Sequence, residues 1–179
     1  MSNSPILTTK AWVKQIVIGC NFCPFAGKPF KDERIHYTIV ESKSPEEQLA
    51  SVLLELQQLN EREDVETTLI IFPEQFSDFL SYLDFVDLAE GLLVAHDYEG
   101  VYQIASFHPK YIFAGSNEQD PANYTNRSPY PMVHLLREGS LSKAIDQFPD
   151  VEGIPERNMA FAREKGLEGM QQLFNKNED

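Results

Sequence analysis

Residues 67–73 read TTLIIFP. No apolar–polar alternation runs through them, which predicts a strand buried on both faces rather than a half-exposed one. Such a strand needs helices on either side, and the flanking sequence supplies them. Upstream, Ser44, Pro45 and Glu47 form a capping box with proline at the first helical position, and Leu49, Val52, Leu53, Leu56 and Leu59 make one apolar stripe. The helix is therefore expected over residues 45 to about 62. Downstream, Phe76, Phe79, Leu80, Leu83 and Val86 predict a second amphipathic helix.

The same alternation continues outward. RIHYTIVE (34–41) is β-branched and aromatic and reads as a strand. Before it, Trp12, Val13, Ile16 and Val17 recur at helical spacing, with Thr8 and Thr9 as capping candidates and Gly19 to close the helix. After the turn HDYEG, Val101 to Phe107 predict a third strand running into His108-Pro109, which Tyr111 to Ala114 extend or pair with. Beyond Pro131, the spacing of Met132, Leu135 and Leu136 predicts a helix interrupted at Gly139 and carried on by Leu141, Ala144, Ile145 and Phe148. A last helix begins near Pro155.

An order α-β-α-β-α-β-α-α predicts an α/β fold: a small, mainly parallel or mixed sheet of three to five strands with helices packed around it, an α+β sandwich being the alternative. Residues 1–179 suffice for a single globular domain with one core. The loop after the third strand would lie at the carboxyl edge of the sheet, where α/β proteins commonly bind ligands.

The formal net charge of −13, with no block of lysine and arginine to reverse it locally, argues against nucleic acid and anionic membrane as partners. No apolar run is long enough to span a bilayer and no signal peptide is apparent, so a cytoplasmic location is expected. No cofactor and no oligomeric state can be read from the chain.

The chemistry concentrates in ASFHPKYIFAG (105–115) and NYTNRSPYPMVHLLRE (123–138). His108, at a strand end fixed by Pro109, is the candidate acid or base. Asn123, Asn126, Arg127 and Ser128 precede the helix that Pro129 or Pro131 would start, so its free amides and the Arg127 fork could together hold a carboxylate or phosphate. His134 and Arg137, three apart, would share one face of that helix and complete the binding set. The bland counterparts are a histidine satisfied by backbone, an arginine paired with a carboxylate, and a solvated helix face. Cys20-x-x-Cys23 is half of a tetrahedral metal site, without a second pair to complete it and without the strand-to-helix setting of a redox dithiol.

Across CNFCPFA (20–26), IIFPEQFSDFLSYL (70–83) and the two stretches above, the chain resembles a bacterial family catalogued as a domain of unknown function (number 1415). The resemblance covers nearly the whole chain and implies no activity. Read from the residues, the leading expectation is a polar pocket, built from the Cys20 loop and residues 106 to 138, that binds a small anionic metabolite, with catalysis left open. The alternatives are a metal-binding protein using Cys20, Cys23 and histidines, and a protein-interaction module displaying Phe22, Phe25 and Phe30.

Overall fold

The structure is a computed structural model describing residues 4–146, 148 and 150–175. Its centre is a four-stranded mixed sheet of order β1-β2-β4-β3, built from β1 (Ile35–Ile39), β2 (Thr67–Ile71), β3 (Tyr102–Phe107) and β4 (Met132–Arg137). β1 pairs parallel with β2, while β4 lies antiparallel to both β2 and β3, so β1, β2 and β3 all point one way. Every residue of β2 is buried, as the absence of alternation requires for a central strand.

Two parallel crossovers cover one face of the sheet. The first is α3 (Pro45–Glu61), where Ser44 Oγ accepts the Glu47 backbone N–H at 3.4 Å. The other half of the capping box is relayed: the Ser44 N–H goes to Ser42 Oγ, which in turn donates to the Glu47 carboxylate. The second is α4 (Phe79–Ala95), capped by Asp78. The two helices pack Val52, Leu56, Tyr82, Phe85 and Ala89 against Ile70, Phe72, Val133 and Leu135. On the other face, α1 (Pro5–Trp12) runs on as a wider π-helical turn, Val13–Ile18, and packs with α6 (Ile154–Asn175) over Leu69, Ile71 and Met132. A short helix α2 (Gly27–Lys31) and α5 (Glu138–Asp146) complete the set.

The expectation of a helix beyond Pro131 is overturned. Met132–Arg137 is a strand, and Met132, Val133 and Leu135 are buried between β2 and β3. Positions 132, 135 and 136 fit helical spacing, but a short apolar run fits a central strand equally well, and the unpaired edge of β2 decides between them. Pro131 accordingly starts no helix; its carbonyl accepts the Phe72 N–H at 3.0 Å and prolongs the ladder. α5 begins only at Glu138, with Gly139 inside its first turn rather than breaking it.

Smaller corrections follow from packing. Thr8 and Thr9 lie within α1, whose first residue is Pro5, and Thr9 Oγ1 donates back to the Pro5 carbonyl. Gly19 does close the first helix as its C-cap, and a side chain added there would strike the Gln15 carbonyl. α4 starts after Phe76, which sits at φ 57° in the preceding loop, and Leu80 is 70% exposed. Residues 111–114 pair with no strand. Among the described residues, no helix is long and apolar enough to cross a membrane.

Candidate functional site

The loop from His108 to Pro131 leaves β3 at the edge where β1, β2 and β3 end, as expected. Its polar groups turn inward on the loop itself. His108 is 1% exposed and packs between Phe79 and Tyr82. Its Nδ1 accepts the Lys110 backbone N–H at 2.9 Å, so Nε2 carries the proton and donates to the Phe76 carbonyl at 2.7 Å. Burial lowers its pKa, and with both nitrogens occupied the imidazole is a neutral cross-link between two loops.

Asn123 is fully buried; it accepts the Phe113 N–H at 3.0 Å and donates to the Asn117 carbonyl at 2.8 Å. Asn126 reaches the Ser106 carbonyl. Arg127 donates to the carbonyls of Tyr111 and Glu118 at 3.3 and 3.0 Å and lies 4.4 Å over the Tyr124 ring. With β4 a strand, the helix amides expected behind Arg127 do not exist. Asp120 is locked to Arg163 through both carboxylate oxygens, which holds its pKa down to about 2.

Two cavities flank Trp12. The smaller, about 200 Å³, is lined by Thr8, Trp12, Arg127, Ser128 and Phe174, among others. The larger, about 730 Å³, opens over the sheet face toward the amino ends of β1 and β2. Its apolar wall combines Val13 and Val17 from the first helix, Phe25 from the cysteine loop, Leu69, Phe107 and Leu136 from three strands, and Leu141 with Phe148 beyond β4. A cavity of this size, apolar with few polar groups, is the usual form of a small-molecule site. Its rim charges are largely committed: Lys28 pairs with Asp32 at 2.7 Å and Arg34 with Glu66 at 3.1 Å.

The expected joint pocket of His108, Arg127 and a cysteine does not form: Arg127 lines the small cavity, Cys23, His134 and Arg137 line the large one, and His108 lines neither. His134 and Arg137 both line the large cavity, but not from one helix face, because residues three apart in a strand point to opposite sides. Arg137 turns to the C-terminus of α3, donating to the carbonyls of Leu59, Arg62 and Val65, and so satisfies the carbonyls that a helix end leaves bare. His134 takes the cavity side, where desolvation pushes its pKa down to about 4.

Cys20 and Cys23 are free, half-buried thiols whose pKa burial raises. Among the described residues, no group of three His, Cys, Asp or Glu side chains is placed to hold a metal ion. His36 instead faces Glu55 at 3.4 Å and His96 ends α4. Of the phenylalanines expected on display, Phe22 is buried against Phe161, and Phe25 and Phe30 are half-buried.

A family model described as "Protein of unknown function (DUF1415)" matches residues 5–172. The chain belongs to the DUF1415 family. The match takes in both cavities, from Thr8 on the first helix to Phe148 beyond α5, save for Phe174 at the edge of the smaller one. No curated protein and no solved structure matches the chain. Residues lining the large cavity from outside the segments expected to build the pocket include Thr67, Leu69 and Ala105. Thr67 alone carried a signal, since a threonine opening a strand buried on both faces must find a partner for its hydroxyl.

Proposed function

We propose that this protein binds a small molecule with an apolar body in the cavity between the sheet, the first helix, the cysteine loop and α5. The supporting observation is the cavity of about 730 Å³ itself, walled by Val13, Val17, Phe25, Leu69, Phe107 and Leu136. An apolar ligand entering it leaves water along most of its surface, at about 25 cal/mol per Å². Uncharged 1-anilinonaphthalene, whose emission rises in apolar surroundings, tests this. Saturable one-to-one binding is expected, and Ala105→Phe, which places a ring in the cavity, should weaken it by about tenfold or more. Absence of saturable binding, or binding indifferent to Ala105→Phe, would refute the reading.

A second reading, a small oxyanion in the cavity of about 200 Å³, has one observation in its favour. Trp12, 2% exposed, lines that cavity beside Arg127, and its indole N–H is buried without a hydrogen-bond partner among the described residues. A bare buried donor in a residue that shares a cavity with an arginine suits an acceptor. Sulfate should then raise the melting temperature of the wild type and leave that of Arg127→Ala unmoved; an equal rise in both removes this reading.

A further inference from the structure

Within the large cavity, His134 has one polar atom whose role the protein leaves open, and the neighbouring hydrogen bonds settle which atom it is. Thr67 Oγ1 contacts two groups: the Leu135 carbonyl at 2.5 Å and His134 Nε2 at 2.6 Å. A carbonyl can only accept, and a threonine hydroxyl has one proton. Thr67 therefore donates to Leu135, and His134 Nε2 must carry a proton to donate to Thr67. The other nitrogen, Nδ1, is left as a lone pair with no hydrogen-bond partner among the described residues. The ring lines the cavity, flanked by Phe107 with centroids 6.1 Å apart and paired across the ladder with Ala105. The contrast with His108, whose two nitrogens are both engaged, is direct.

We infer that the ligand of the large cavity carries a neutral hydrogen-bond donor, a hydroxyl or N–H on an otherwise apolar molecule, which donates to His134 Nδ1. An ionised carboxylate there would set lone pair against lone pair. Desolvation keeps the ring neutral at physiological pH, so Nδ1 stays an acceptor. Thr67 is the positioning residue: it fixes the tautomer without facing the ligand's donor. This inference rests on the cavity being a ligand site, as proposed above.

Two probes of nearly equal shape separate the claims: 4-hexylphenol, which has a donor, and 4-hexylanisole, in which a methyl replaces that proton. Titration calorimetry on the full chain should show the phenol binding about five- to tenfold tighter, the worth of one hydrogen bond in a water-poor site. His134→Phe should erase the preference, so that the two probes bind with nearly equal affinity. Thr67→Val, which frees the ring to take either tautomer, should shrink the preference without removing the ring. The ¹⁵N shifts of the His134 ring in the ligand-free protein should show the proton on Nε2. Equal binding of both probes to the wild type overturns the inference while the cavity reading stands; failure of both to bind overturns the two together. A proton on Nδ1, or a preference that survives His134→Phe, overturns the inference alone.

Discussion

The loop at the carboxyl edge of the sheet and the cavity over its amino-terminal half divide the chemistry of this chain in opposite ways. The loop holds half of the candidate site residues read from the sequence, and hydrogen bonds within the protein absorb them: His108 bridges Phe76 and Lys110, Asn123 bridges Phe113 and Asn117, and Arg127 bridges Tyr111 and Glu118. The cavity is walled largely by residues that look like core, with Cys23, His134 and Arg137 among them, yet they leave about 730 Å³ unfilled and one histidine nitrogen without a partner among the described residues. A long loop carries backbone donors and acceptors that must be satisfied where it is buried, and side chains with several hydrogen-bonding atoms do this. Dense polarity at a sheet edge can therefore mark construction, whereas a place where core residues fail to fill space leaves room for a ligand. Changes in the loop should accordingly alter stability and spare binding; changes in the cavity should do the reverse.

The largest stability loss should come from Asn123→Ala. It strips the partner from the Phe113 N–H and the Asn117 carbonyl inside a buried loop. With each orphan worth roughly 1–3 kcal/mol, a loss of about 3 kcal/mol is expected in urea unfolding, with 1-anilinonaphthalene affinity unchanged in the folded variant. A loss of binding in a variant that remains folded would show that loop and cavity are one system, and the comparison would break.

Acid provides a second test, in which the cavity side does contribute to stability. The folded-state pKa of His134 lies at about 4, below the ordinary imidazole value, so between those limits the unfolded chain holds more protons. The contribution is complete above about pH 6.5, erodes as pH falls, and is gone near pH 4, amounting to roughly 3 kcal/mol. His108 is shifted in the same direction, also chiefly by burial, and its loss has the same sign. Asp120, held at about 2 by Arg163, gives way only at lower pH. Urea midpoints measured from pH 7 to 4 should therefore fall more steeply in the wild type than in His134→Phe. Identical slopes would mean that His134 is charged or freely solvated in the folded protein, which would also weaken its assignment as a neutral acceptor.

Helix ends offer a smaller effect, neutral to binding. Ser44→Ala removes an N-cap acceptor far from both cavities and should cost about 1 kcal/mol. An effect near zero would show that Ser42 sustains the relayed capping box alone.

How much of this was legible in the sequence follows from the range of the forces involved. α3 and β2 could be read because a capping box and an unbroken apolar run are local patterns, and the structure keeps both. β4 could not, since Met132, Leu135 and Leu136 satisfy helix and strand periods alike and only the neighbouring edges of β2 and β3 choose between them. That one misassignment also created the imagined helix N-terminus behind Arg127 and placed His134 beside Arg137. The cavity was beyond local reading for a different reason. It is an absence of packing among residues from four strands, several helices and a loop, and no segment records what fails to meet it.

The smallest effect is the sharpest test of that absence, because it compares one substitution at two alanines. Ala89 is fully buried in α4, inside the cluster formed with Phe72, Phe85 and Val133. Adding two methyl groups there forces neighbours from their rotamers, so Ala89→Val should cost about 1–3 kcal/mol, part of it the lower helix propensity of valine. Ala105 sits on β3 and lines the large cavity. There the same methyl groups enter open space, and a β-branched side chain suits a strand, so Ala105→Val should leave stability within about 0.5 kcal/mol or raise it slightly. Ligand binding should respond the other way round, since Ala105→Val narrows the cavity opposite His134 while Ala89→Val lies across the sheet. Comparable destabilisation by both substitutions would mean that the space beside Ala105 closes in solution, and the cavity would lose its standing as a site.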